Sequence, residues 1–204
     1  MVAVDTYLTI AHPSEGVYKE KGSRFVAFAY PVSQEDEIKE LLASIKKDHF
    51  SARHCCYAWN LGVENARFRM NDDGEPQGTA GRPIYGQLQF YGLTNIMVVV
   101  VRYFGGTLLG VAGLMRAYKQ ATIEAIANAE IVSRIVELHV EVEFNYLSMN
   151  SIMHFVKEEH LEIIGSKYDL QCAIVIKVRL ARLNEIIARI ISMDGVFQCK
   201  IKTD

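Results

Sequence analysis

Apolar residues along this chain change period several times, and each change marks an element. The run 96–101 (I-M-V-V-V-V) is apolar without alternation, which reads as a central strand covered on both faces. The stretch 24–30 (R-F-V-A-F-A-Y) is a second strand, entered through a turn at Lys21-Gly22-Ser23 and stopped by Pro31. Residues 7–10 alternate weakly and form a third. Ile38, Leu41, Leu42 and Ile45 recur at helical spacing and predict an amphipathic helix over 33–47. Ser33 is its expected N-cap, with Glu35, Asp36 and Glu37 in the first turn and Lys46-Lys47 at the end where the dipole favours cations. Residues 54–61 and 67–70 predict a hairpin around Gly62-Val63-Glu64-Asn65. The turn formers of 71–81 follow, then a helix over 83–90 with Pro83 in its first turn. The central strand then leads into a long helix from about Leu108 to Asn128.

After Asn128 the pattern shifts. Residues 131–144 alternate, with Glu137, His139, Glu141 and Glu143 on one side and Val136, Leu138, Val140, Val142 and Phe144 on the other. This predicts one long, half-buried strand. A helix over 147–160, strands over 162–168 and 172–180, a helix over 183–191 and a strand over 196–201 complete the order β-α-β-β-α-β, the ferredoxin-like arrangement. The chain is therefore expected to be α+β, with two domains at 1–130 and 131–204.

A length of 204 residues is ample to bury a core in each. The net charge of -2 exerts no general pull on nucleic acid or anionic membrane, so any such binding needs a local patch. No apolar run approaches the ~20 residues of a membrane span. The first residues lack the basic flank and cleavage site of a signal peptide. Cys55, Cys56, Cys172 and Cys199 match neither zinc spacing nor a secreted disulfide framework. The expectation is a cytoplasmic protein without metal or cofactor.

Charge is unevenly spread. No acidic residue lies between Glu75 and Glu124, while Arg82, Arg102, Arg116 and Lys119 do. Buried core and turn account for much of that, and an acid-free surface facing an anion is compatible with it. Three motifs sharpen the second idea. Lys21-Gly22-Ser23-Arg24 sets two cations and a hydroxyl around a glycine turn, which is either a phosphate clamp or a solvated hairpin tip. Gly105-Gly106 follow Arg102-Tyr103-Phe104 at a strand-to-helix turn, where backbone N–H groups and a positive helix end face an anion. The turn lacks the Walker lysine and the G-x-G-x-x-G spacing. Asp72-Asp73-Gly74-Glu75 offers three carboxylates for acid/base work or a hard cation, but without the spacing of a calcium loop; a self-capped turn explains it as well. On a strand, His54 and Cys56 share a face and Cys55 does not. Buried packing is the commoner use of such cysteines.

Together these stretches carry a resemblance. Lys21-Gly22-Ser23-Arg24-Phe25, then D-D-G-E-P-Q-G-T-A-G over 72–81, then V-V-V-R-Y-F-G-G-T-L-L-G-V-A-G-L-M-R-A-Y over 99–118, in that order, resemble the IMPACT/YigZ family across roughly residues 15–130. The remainder resembles the C-terminal extension of bacterial members. Ala112 stands where the family pattern usually has glycine. The resemblance implies an N-terminal domain folded like domain IV of elongation factor G, with a left-handed β-α-β crossover, and a C-terminal domain like domain V. Eukaryotic members act in translational control.

Three functions follow. The leading one is a non-catalytic, translation-linked protein binding RNA, the ribosome or an associated protein. Its surface would comprise Lys21, Ser23, Arg24, His54, Arg102, Tyr103, Gly105, Gly106 and Arg116. Arg102 and Arg116 would pair phosphates, the glycines donate N–H groups and Tyr103 stack. The second is an enzyme acting on a small phosphorylated or carboxylated anion, with Asp72, Asp73 or Glu75 as base or cation ligand beside His54. The third is a protein-interaction module docking a basic partner on Glu137, Glu141 and Glu143.

Overall fold

The computed structural model describes residues 5–63, 67–169 and 171–202; Glu64 and Asn65 of the expected hairpin turn, and the first four residues, lie outside them. The chain divides into a larger unit, whose described residues are 7–63 and 67–134, and a smaller one whose described residues are 5–6, 135–169 and 171–202.

The larger unit is built on five strands: β2 (Ser14–Glu20), β3 (Ser23–Pro31), β4 (His54–Leu61), β5 (Arg67–Asn71) and β6 (Ile96–Tyr103). They lie in the order β2-β3-β6-β4-β5, every neighbour antiparallel. The apolar run is the central strand, and its residues alternate between two cores. Val98 and Val100, with Phe25, Ala27, Cys56 and Ala58, pack against α2 (Gly81–Phe90) and α3 (Gly110–Ala127). Met97, Val99 and Val101, with Phe28, Tyr57 and Trp59, pack against Ile38 and Ile45 of α1 (Glu35–Asp48). An unbroken apolar, mostly β-branched run suits this strand because both of its faces are buried. A ribbon of β1 (Thr6–Ile10) and β7 (Ile131–Ile135) accompanies the sheet.

Several local expectations are corrected. Strand β2 was not predicted. Its Gly16 is needed because a Cβ there would come within 2.2 Å of the Ala125 amide on α3. Helix α1 starts at Glu35 behind Gln34, not Ser33. The Ser33 N–H (2.7 Å) and hydroxyl (3.1 Å) instead donate to Glu37, holding that carboxyl below its ordinary range. Helix α3 begins at Gly110, two residues later than expected, and β6 runs on through Arg102 and Tyr103.

The smaller unit has β8 (Glu137–Asn145), α4 (Met149–Glu158), β9 (Glu162–Lys167), β10 (Gln171–Arg179), α5 (Leu183–Ile191) and β11 (Val196–Ile201). Its sheet order β11-β8-β10-β9 is the ferredoxin-like order for β-α-β-β-α-β, with antiparallel neighbours. Val140, Val142, Phe144, Ile174 and Ile176 meet Ile152 and Phe155 of α4 and Ile186 of α5. The long strand expected over 131–144 is two strands. At Val136 the N–H donates to the Asp5 carbonyl (2.7 Å) and the carbonyl accepts from Leu180 (2.9 Å), which interrupts the alternating run.

Candidate functional site

The loop after β5 closes on its own carboxylates. Asp72 accepts the N–H groups of Gly78 (2.8 Å), Ala80 (3.0 Å) and Gly81 (2.9 Å). Asp73 has φ +42 and precedes Gly74 at φ +86; its carboxylate accepts the Cys55 N–H (2.7 Å) and the Lys46 ammonium (3.1 Å). Both carboxylates are thus engaged in holding the loop and its neighbours. Their work is to deliver Glu75 into the interior, where it is 8% exposed.

There Glu75 Oε1 accepts from Arg102 Nη1 (2.6 Å) and the Tyr118 hydroxyl (2.9 Å), with His54 Nε2 3.9 Å away. His54 Nδ1 stands 2.8 Å from the Asp73 carbonyl. A carbonyl only accepts, so Nδ1 carries the proton and Nε2 is the nitrogen turned toward Glu75. His54 and Arg102 are register partners on β4 and β6, which sets both on the α2/α3 side of the sheet. Arg102 is 5% exposed, and its guanidinium carbon lies 5.5 Å from the Phe25 ring centre and 5.6 Å from that of Phe104. Its Nε has no hydrogen-bond partner. Cys56 Sγ donates to the Asp72 carbonyl (3.0 Å) and stands 3.4 Å from the Tyr118 hydroxyl. Burial pushes the Cys56 thiol and the Tyr118 phenol well above their ordinary ranges, and takes Cys55 up to about 11. Both thiols are thus held in the protonated form at neutral pH and pack in the two cores.

Above this network is a cavity of about 340 Å³. Arg53, His54, Glu75 and Arg102 line it together with Pro76, Phe104, Leu108 and the start of α3.

The residues singled out from sequence do not form one surface. The Lys21–Arg24 and Gly105-Gly106 turns do come together: a Cβ on Gly105 would fall 1.9 Å from the Gly22 carbonyl carbon. Buried Ser23 accepts the Gly105 N–H at its hydroxyl (3.1 Å), so that donor is already used. Gly106, at φ +85, has open space around it, and Lys21 and Arg24 are exposed. Arg102 is corrected from a surface phosphate contact to a buried partner of Glu75. Tyr103 points to the other side of the sheet, where its hydroxyl meets His49 Nδ1 (2.7 Å) and Arg24 lies 5.9 Å from its ring centre. Arg116 is exposed and paired with Glu20. On β8, Glu141 and Glu143 are paired with Lys200 (3.0 and 3.5 Å). Sequence reasoning undervalued Tyr118 and passed over Lys46 and Arg53. Tyr118 carried a readable signal, since it repeats at helical spacing with Leu114 and Thr122 and a buried phenol needs a partner. Among the described residues, no group of three or more His, Cys, Asp or Glu side chains is arranged to hold a metal.

The sequence profile of the Impact N-terminal domain matches residues 21–126. IMPACT family member YigZ of Escherichia coli (strain K12) is 30% identical over 189 residues, spanning 92% of this chain and 93% of that protein. IMPACT family member YvyE of Bacillus subtilis (strain 168) is 36% identical over 144 residues, 70% of this chain and 66% of that protein's length. A solved structure described as a hypothetical protein matches with a TM-score of 0.78 at 28% identity, covering 98% of this chain and 99% of that one. This chain belongs to the IMPACT family.

Proposed function

We propose that this protein is a non-catalytic, translation-linked factor that binds RNA through the end of the larger unit's sheet where the two glycine turns meet. The observation that carries the reading is the contact of the Gly105 backbone with Gly22 and Ser23, which joins two distant motifs into one surface. Lys21 and Arg24 are exposed at this end, Arg24 toward the Tyr103 side and partly exposed Phe104 toward the Arg102 side, and Gly106 leaves its backbone open to approach. Exposed cations, an accessible aromatic ring and bare backbone are what single-stranded RNA contacts use. The translational link rests on the resemblance, whose eukaryotic members act in translational control. Few cations on a net-acidic chain make for modest, salt-sensitive affinity.

The test is co-sedimentation with ribosomes, and binding to a single-stranded RNA, across a salt series. Lys21→Ala/Arg24→Ala is the variant to compare, because removing buried Arg102 would confound binding with folding. Loss of two phosphate contacts lowers the salt slope by about 1.4 for a single strand. Equal salt slopes for the two proteins, or no binding at low salt, would refute the reading.

A further inference from the structure

The cavity beside the Glu75–Arg102 pair has an electrostatic asymmetry that the RNA surface does not use. Two guanidiniums, Arg53 and Arg102, and the ring of His54 line it against one carboxylate, Glu75. That carboxylate is already held by Arg102 and Tyr118. Leu109, the N-cap of the 18-residue helix α3, and Gly110 and Val111, its first two residues, form part of the wall. The helix has no side-chain cap and no acidic residue in its first turn, so its free N–H groups and positive dipole end are not neutralised locally.

A second observation is independent of the helix. Arg102 lines the cavity, is 5% exposed, and has an Nε–H without any acceptor. A buried donor left unpaired is unfavourable, and a small shift of the guanidinium toward an acceptor in the cavity would relieve it. The remaining wall is apolar, with Pro76, Phe104, Leu108 and Leu114. Leu108, 83% exposed at the cavity, leaves its side chain open to contact.

We infer that this cavity binds a small organic anion, a carboxylate or phosphate monoester with an apolar body. The head group lies between Arg102, Arg53 and the α3 N-terminus, and the body lies against Leu108 and Phe104. The volume of about 340 Å³ is near the lower limit for ligand pockets, which restricts the body to roughly one ring or a short chain. The two readings share Phe104 but no cation, since neither Lys21 nor Arg24 lines the cavity.

The experiment is amide chemical-shift titration of the full chain with phenyl phosphate and with benzoate, and with benzyl alcohol as an uncharged control. At least one anion is expected to shift Gly110, Val111 and His54 saturably, with benzyl alcohol about tenfold weaker or more. Val111→Glu is the variant, because an acidic residue in the first turn suits the helix while repelling an anion. It should keep the thermal midpoint and reduce anion affinity about tenfold. Lys21→Ala/Arg24→Ala should leave anion affinity unchanged while weakening RNA binding, so the two readings fail separately. Absence of shifts at these residues, equal binding of benzyl alcohol, or unchanged affinity in folded Val111→Glu would each overturn the inference.

Discussion

The two units handle charge in opposite ways. In the larger one, helices cover both faces of the sheet, and a carboxylate and a guanidinium meet in the interior, with Glu75 and Arg102 both nearly inaccessible. In the smaller one the strands alternate between a buried face and a more open one. Its prominent ion cluster, Glu159 with Arg182 and Arg189, sits where both arginines keep contact with water. A buried pair loses hydration that its mutual attraction barely restores, whereas a surface cluster loses little and adds little. The larger unit therefore keeps an arrangement of small net stability but large penalty when broken.

That contrast can be broken experimentally, starting with the interior pair. Glu75→Leu leaves Arg102 charged and unpaired, and should lower stability by about 3–5 kcal/mol in urea unfolding followed through Trp59, the chain's single tryptophan. Glu75→Leu/Arg102→Met together should recover most of that loss. If the single variant is as stable as the parent, the pair is not buried as described. Next is Gly105→Ala, whose new Cβ meets backbone and not a yielding side chain; a loss of about 1–3 kcal/mol is expected in the same assay.

The surface cluster should respond less to substitution and more to acid. Arg182 and Arg189 hold the Glu159 carboxyl below the ordinary value of 4.5. Its contribution is thus complete above that value and is lost as pH falls through the lowered folded one. Glu159→Gln should flatten the acid dependence of the smaller unit's melting, and an unchanged profile would remove the cluster from the account. The smallest effect concerns thiol chemistry. Buried Cys55 and Cys56 should resist iodoacetamide near neutral pH, while partly accessible Cys199 reacts first, as mass spectrometry of digests would register.

Much of the fold was readable where one local rule acted alone. Strand β4, helix α5 and strand β11 run between the residues that pattern predicts, because alternation or helical spacing ends there at turn formers. Strand β2 was hidden because Ser14–Glu20 carries few apolar residues and a central glycine, and that glycine is explained only by α3 crossing above it. The break at Val136 was hidden because its cause is hydrogen bonding to Asp5 and Leu180, remote in sequence. The site was legible as a set of turns but not as an arrangement. Alternation along β6 does send Arg102 and Tyr103 to opposite faces, which could have been foreseen had the strand been carried two residues further. That Glu75 reaches Arg102 could not be, since it depends on three backbone amides folding the loop around Asp72.

The contact between Gly105 and the Gly22–Ser23 backbone ties the two turns together. A side chain added to either turn at its point of contact must displace the other, so substitutions at Gly22 and Gly105 are expected to be coupled in their effects. A graft of this surface onto another scaffold must carry both turns.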